Sequence, residues 1–201
     1  SQAFPHDQVE FNILDNGSVD STKTIIRESS GEFSGFFKFN LVESNKNLGM
    51  WPGQEELLKH SSGKYILAMA VDVILDKDFL VNAVKRMEND GNIGALEAKI
   101  YKFDLSPNGY NLTTIIDTCG FKIFKSRRVI NVGHGEEDRG QFNQYQEIFG
   151  VEGAAPFFRR EALEDCRINR VPRAAKARPG DHSEQGELID KDFFWYGDDL
   201  D

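Results

Sequence analysis

Four stretches of the chain carry residue types that could do chemistry. Asp15-Asn16-Gly17-Ser18 follows an alternating apolar run at residues 9–14, which reads as a strand. In open α/β sheets, ligands bind at the carboxyl ends of strands. A carboxylate there can accept hydrogen bonds from a nucleobase or a ribose. The same four residue types also make a plain turn, with Ser18 as a helix N-cap. Asp72 ends the most apolar stretch, residues 65–71. A lone carboxylate in that position suits Mg²⁺ or Mn²⁺, which take one or two protein carboxylates plus diphosphate oxygens. Its plainer role, capping the next helix, could fall to Asp76 or Asp78. Asn47-Leu48-Gly49 precedes another helical stretch, and Gly49 permits a close backbone approach or a positive φ. Residues 193–201 place three carboxylates (Asp198, Asp199 and Asp201) directly after four aromatics. Like charges this close raise at least one pKa, which suits a general base. Charge runs are usually solvated, but the aromatic block argues for partial burial here.

Three further clusters carry weaker signals. Residues 133–138 and the set Asp181, His182 and Glu184 have metal-ligand residue types inside polar loops. Arg167, Arg170, Arg173, Lys176 and Arg178 form a basic run without an intervening acid, suited to an anionic acceptor or to a solvated insertion.

The elements that must position these residues follow from periodicity. After the strand at 9–14, Ser18 opens a helix that Gly31 would end. A strand at 36–42, a helix from Gly53 to Ser62, and a strand at 65–71 buried on both faces come next. Phe79, Leu80, Ala83, Val84 and Met87 then line one face of a helix closed by Gly91. A strand at 93–100 completes a strand–helix alternation, which predicts an α/β domain with a largely parallel sheet. Past Lys102, short strands are expected at 115–120, 121–124 and 129–132. A Gly-rich acidic loop at 133–146, mixed strand at 148–160 and a short helix at 160–166 follow.

With 201 residues, 39% hydrophobic and 16 Phe, the chain has material for a full core. Its net charge of −9 argues against nucleic acid as a partner. No run approaches the length of a membrane helix. Cys119 and Cys166 read as reduced thiols, which predicts a cytoplasmic chain.

Taken in order, these pieces resemble the family 2 glycosyltransferases of the GT-A fold, in particular their rhamnosyltransferase-like branch. The matching text is residues 13–22, Asn45-Lys46-Asn47-Leu48-Gly49, residues 65–73 ending in Ala70-Val71-Asp72, Asp78-Phe79-Leu80 and Ile93-Gly94-Ala95-Leu96. It continues with Asp117-Thr118-Cys119-Gly120, residues 133–141 and 151–155, Phe158-Arg159-Arg160 and residues 193–201. The resemblance implies one GT-A-like domain, α/β, with a mixed, mostly parallel sheet flanked by helices and short antiparallel strands in its C-terminal half. Residues 1–102 would form the nucleotide-binding half and 103–201 the acceptor and catalytic half.

The implied activity is inverting, metal-dependent transfer of a hexose, rhamnose among the candidates, from a dTDP- or UDP-linked donor to a glycan or lipid-linked acceptor in polysaccharide biosynthesis. Asp15 would contact the nucleobase, with Asn16, Gly17, Ser18, Asn47 and Gly49 also on the donor. Asp72 would bind Mg²⁺ or Mn²⁺. Gly153 and Ala154 would lie beside the donor sugar. Asp199 would take the acceptor proton, with Asp198 standing where the family usually has Glu. A lipid-linked acceptor would bring the chain to the inner face of the membrane. The family's first strand and the region after Asp201 are expected to be missing, which predicts weak activity for this chain alone. Two other readings are a nucleotidyltransferase-like enzyme and a non-catalytic nucleotide-sugar-binding fragment.

Overall fold

The computed structural model describes residues 2–167, which form two compact units. The first comprises residues 2–66, 75–94 and 159–167, the second residues 67–74 and 95–158. Asp198, Asp199, residues 168–178, Asp181, His182 and Glu184, for which the sequence raised expectations, lie outside the described residues.

The first unit is built on two parallel strands, β1 (Glu10–Asp15) and β2 (Lys38–Glu43), in register from Glu10 opposite Lys38 to Asp15 opposite Glu43. Apolar residues on one face of this pair meet a layer of rings. Phe33 stacks on Phe39 with centroids 4.6 Å apart and on Phe11 at 4.9 Å. Offset ring pairs of this kind add about 0.5–1.5 kcal/mol beyond their burial. Between the strands run α1 (Thr22–Glu28) and a 3₁₀ turn (Ser29–Phe33).

Ser18 does not cap α1. The helix starts three residues later than expected, with Ser21 at the N-cap position. Ser18 instead donates its backbone N–H to Asp15 Oδ1. Gly31 does not end α1 either; it lies inside the 3₁₀ turn. Helix α2 (Met50–Lys59) starts before the expected Gly53, from Gly49, whose φ of 91° is open to glycine. Pro52 fits in its first turn because the N–H it lacks would have no helical partner there.

Helix α3 (Phe79–Asn89) buries Ala83 and Met87, as the 3.6-residue pattern predicts. Its carboxyl end is closed by a distant side chain. Arg159 donates from Nη2 to the carbonyls of Met87 (2.8 Å) and Asp90 (3.1 Å), and from Nε to Ile93 (2.9 Å). Late helical carbonyls lack internal partners and carry the negative end of the helix dipole, so a guanidinium suits both needs. The short helix α4 (Arg160–Asp165) follows.

The strand expected at 65–71 is shorter. β3 covers only Tyr65–Leu67, and Val71 is fully exposed. Pairing continues without regular strand: Ala68 N–H donates to the Pro156 carbonyl and Ala70 N–H to that of Ala154. The expected strand at 93–100 reduces to β4 (Ala95–Leu96). A hairpin follows that the sequence did not reveal: β5 (Ile100–Ser106) against β6 (Gly109–Thr118), antiparallel, with irregularities between Ile100 and Phe103. β7 (Phe121–Ile123) pairs antiparallel with β8 (Val129–Asn131). β9 (Phe157–Arg159) lies antiparallel to β4, with Leu96 opposite Phe157. Ile116, Thr118, Ala155 and Phe157 form the buried centre of the second unit. Among the described residues no helix is long and apolar enough to cross a membrane.

The acidic loop after β8 is anchored. Lys99 Nζ donates to Asp138 Oδ2 and to Asn143 Oδ1, each at 2.7 Å, and the Tyr101 hydroxyl also donates to Asp138 Oδ2. These bonds, from Lys99 first, hold the Asp138 carboxyl down to about 2.

Candidate active site

The carboxyl ends of β1 and β2 gather six of the residues singled out in the sequence. Asp15 closes β1 and is only 2% exposed. Its Oδ1 accepts the Ser18 N–H at 3.3 Å, and Lys23 Nζ stands 3.3 Å from Oδ2. Burial raises its carboxyl, but the bonds from Ser18 and Lys23 and the lysine's charge outweigh that and hold it below the ordinary value. Asp15 is therefore an anion at neutral pH. Its Oδ2 is buried and faces Lys23 in the ion pair.

Asn16 ties this turn to the loop after β2. Its Oδ1 accepts the Leu48 N–H at 2.8 Å, while its Nδ2 donates to the Gly49 carbonyl (3.1 Å) and to Asn47 Oδ1 (3.2 Å). Asn47 Oδ1 also accepts the Gly49 N–H at 2.9 Å. Gly17 makes the approach feasible: its φ is 84°, and a Cβ there would stand 2.6 Å from the Lys46 carbonyl carbon. Gly53 does the same for α2, since a Cβ would meet Leu14 Cδ2 at 3.0 Å. An open concavity of about 550 Å³ lies at this end of the strands, lined by Leu14, Val42, Ser44, Lys46, Leu48 and Glu56 among others. Its lining mixes apolar side chains with Ser44, one lysine (Lys46) and two carboxylates (Glu43 and Glu56), a mixed surface suited to a small polar ligand.

The second unit holds three more: Asp72, Gly153 and Ala154. Asp72 is exposed in a turn and makes no hydrogen bond or ion pair among the described residues. Gly153 and Ala154 lie in the turn before β9. The Ala154 carbonyl accepts the Ala70 N–H at 2.8 Å, two residues before Asp72, and the Ala154 N–H donates to Glu152 Oε2 at 2.8 Å. Among the described residues no three His, Cys, Asp or Glu side chains cluster as a closed metal cage. A single exposed carboxylate fits an ion whose other ligands come from a bound diphosphate and water.

Residues 1–167 match the family model described as Glycosyl transferase family 2. The chain belongs to glycosyl transferase family 2. No curated protein matches this family 2 chain. A solved structure does: mannosyltransferase PcManGT from Pyrobaculum calidifontis in complex with GDP-Man and Mn2+, with 22% identity and a TM-score of 0.52. The match covers 82% of this chain and 39% of that one, so the family 2 chain spans well under half the length of that protein. At this identity the likeness shows the fold, the mixed α/β GT-A architecture.

Lys23, Lys99 and Glu97 went unnoticed in the sequence of this family 2 chain, and Asp138 was noticed only as a metal-ligand type. Lys23 pairs with Asp15, but its spacing on α1 resembles any solvated helix lysine. Lys99 and Asp138 anchor a loop that its Gly and acid content suggested was free. Glu97 is a carboxylate set between Ala95-Leu96 and Ala98, where its apolar neighbours were the available signal.

Proposed function

We propose that the chain transfers a hexosyl group from a nucleotide-sugar donor to a glycan or lipid-linked acceptor with inversion, using a divalent metal. The observation that carries this reading is the hydrogen-bonded junction of Asp15–Ser18 with Asn47–Gly49 at the ends of two parallel strands. Family membership favours sugar transfer over nucleotidyl transfer. The Mn2+ and GDP-Man in the structural relative support a metal-assisted nucleotide-sugar site in the same fold. We assign a dTDP- or UDP-linked donor, with rhamnose a candidate sugar, on the sequence resemblance.

In this reading Asp15 accepts a hydrogen bond from the base or ribose, and Asn16, Gly17, Ser18, Asn47 and Gly49 shape the wall against which the nucleotide lies. Asp72 would hold Mg²⁺ or Mn²⁺. When bound, that ion offsets the negative charge that develops on the departing diphosphate. Gly153 and Ala154 leave room for the sugar ring. The acceptor hydroxyl forms its bond to the anomeric carbon on the face opposite the breaking carbon–phosphate oxygen bond, and Asp199 takes the hydroxyl proton. The anomeric centre passes through an oxocarbenium-like state. Work at a membrane's cytoplasmic face follows if the acceptor is lipid-linked.

Transfer assays on two variants test the assignment. Asp199→Asn should lower kcat about 10²–10⁴-fold and spare donor affinity. Asp72→Asn should abolish the metal dependence of donor binding. Wild-type turnover in both variants would overturn these roles; donor binding without turnover in the unaltered chain would favour a non-catalytic binding protein.

A further inference from the structure

We propose that Glu97 is a positioning residue for the donor-sugar turn, residues 152–154, which it holds through the backbone N–H of Glu152; this rests on the reading of that turn given above. Glu97 Oε2 accepts the Glu152 N–H at 2.5 Å. Glu152 Oε2 in turn accepts the Ala154 N–H at 2.8 Å, and the Ala154 carbonyl accepts the Ala70 N–H at 2.8 Å. A continuous relay thus runs from Glu97, just beyond β4, through the turn to the backbone two residues from Asp72. The turn sits between two anchored segments of its own unit: β4 paired with β9, and Ala68–Ala70 bonded to Pro156 and Ala154.

Burial sets the protonation state of Glu97. Its Oε1 is buried and has no hydrogen-bond partner among the described residues. A charge there would be uncompensated and costly. Burial, and secondarily the Glu152 carboxylate, push the Glu97 carboxyl up to about 8, against the lowering bond from Glu152 N–H. The titratable groups around it do not relieve this. Glu152 on the turn repels an added negative charge, the Cys119 thiol after β6 is itself raised by burial, and Lys99 is engaged with Asp138 and Asn143. At neutral pH Glu97 is a neutral acceptor that fixes the turn. At alkaline pH it becomes a buried anion facing a second carboxylate; the Glu152 N–H still donates to it, because a carboxylate is the stronger acceptor, and the cost of the charge falls on stability. Because its folded value lies above the unfolded 4.5, the folded state binds the extra proton between about 4.5 and 8. Its contribution to stability therefore falls as pH rises through that window.

The test measures donor affinity from pH 6.5 to 9.5 for wild type, Glu97→Gln and Glu97→Ala, with UDP-glucose, dTDP-rhamnose and GDP-mannose as probes in Mn²⁺. The backbone amide signals of Glu152 and Ala154 are followed by NMR in the unliganded chains. Glu97→Ala should bind donor on the order of tenfold more weakly than wild type at every pH, the change expected for loss of one strong hydrogen bond. Glu97→Gln keeps a neutral acceptor, so it should bind like wild type at pH 7. The Glu152 amide should titrate near pH 8 in wild type only. Wild-type donor affinity in Glu97→Ala, or an unperturbed Glu152 amide in that variant, overturns the proposal. Binding of none of the probes by wild type defeats the donor-site reading and this role with it, and the amide titration then separates that failure from a failure of the relay.

Discussion

The backbone N–H of Leu48 is held by the side-chain Oδ1 of Asn16 at 2.8 Å, joining segments 32 residues apart. One side chain thereby satisfies an N–H, a carbonyl and a neighbouring amide at the ends of two strands. The turn after β1 and the loop after β2 consequently move as one piece.

Asn16→Ala removes three hydrogen bonds and leaves the Leu48 N–H part-buried without its partner. Each such loss typically costs about 1 kcal/mol, more where the orphaned group stays out of water. We expect a destabilisation of about 2–3 kcal/mol by denaturant titration. Donor affinity should fall at least about tenfold, since the wall of the site is no longer preorganised.

Arg159→Met should be strongly destabilising. Two carbonyls at the end of α3, of Met87 and Asp90, and that of Ile93 beyond it lose their donor together, and hydrogen bonds to charged groups contribute about 1.5–3 kcal/mol each when removed singly. We expect a loss of about 3–4 kcal/mol, measured by denaturant unfolding. Arg159→Lys should rescue little, because one ammonium cannot span the fan of carbonyls that the guanidinium reaches.

Much of this was legible beforehand. Ala83 and Met87 recur at helical spacing, and α3 buries them. Asp15 and Asn47-Leu48-Gly49 are typical strand-end residues, and the fold brings them together. Ser18 misled because its competitor for the helix start was a side chain upstream: Asp15 takes the Ser18 N–H, so the chain turns three residues longer before α1. The 65–71 run looked like a fully buried strand, yet regular pairing stops at Leu67 and Val71 faces solvent. The β5–β6 hairpin stayed hidden because register shifts between Ile100 and Phe103 break the two-residue alternation by which strands are read. The cap from Arg159 and the bond from Glu97 to Glu152 join residues 72 and 55 positions apart, a distance at which local patterns carry no information.

The Lys99–Asp138 anchor predicts an acid limb in stability. The Asp138 carboxyl is depressed from 3.8 to about 2, so the unfolded chain binds its proton first as pH falls. The anchor's contribution is complete above about pH 4 and is lost as pH drops toward 2. Asp138→Asn should lower Tm at pH 7, and the gap to wild type should narrow steadily below pH 4. A gap that stays constant from pH 7 to pH 2 would show that the carboxylate charge is not what anchors the loop.

The central claim is that the joined ends of β1 and β2 form a nucleotide-sugar site. Calorimetric titration of UDP-, dTDP- and GDP-linked sugars into wild type and Asn16→Ala, with and without Mn²⁺, tests it most directly. The account predicts saturable one-site binding of at least one donor to wild type, dependent on the metal and weakened at least about tenfold by Asn16→Ala. Equal binding by the two proteins, or no binding heat from any of the donors with Mn²⁺ present, would contradict it.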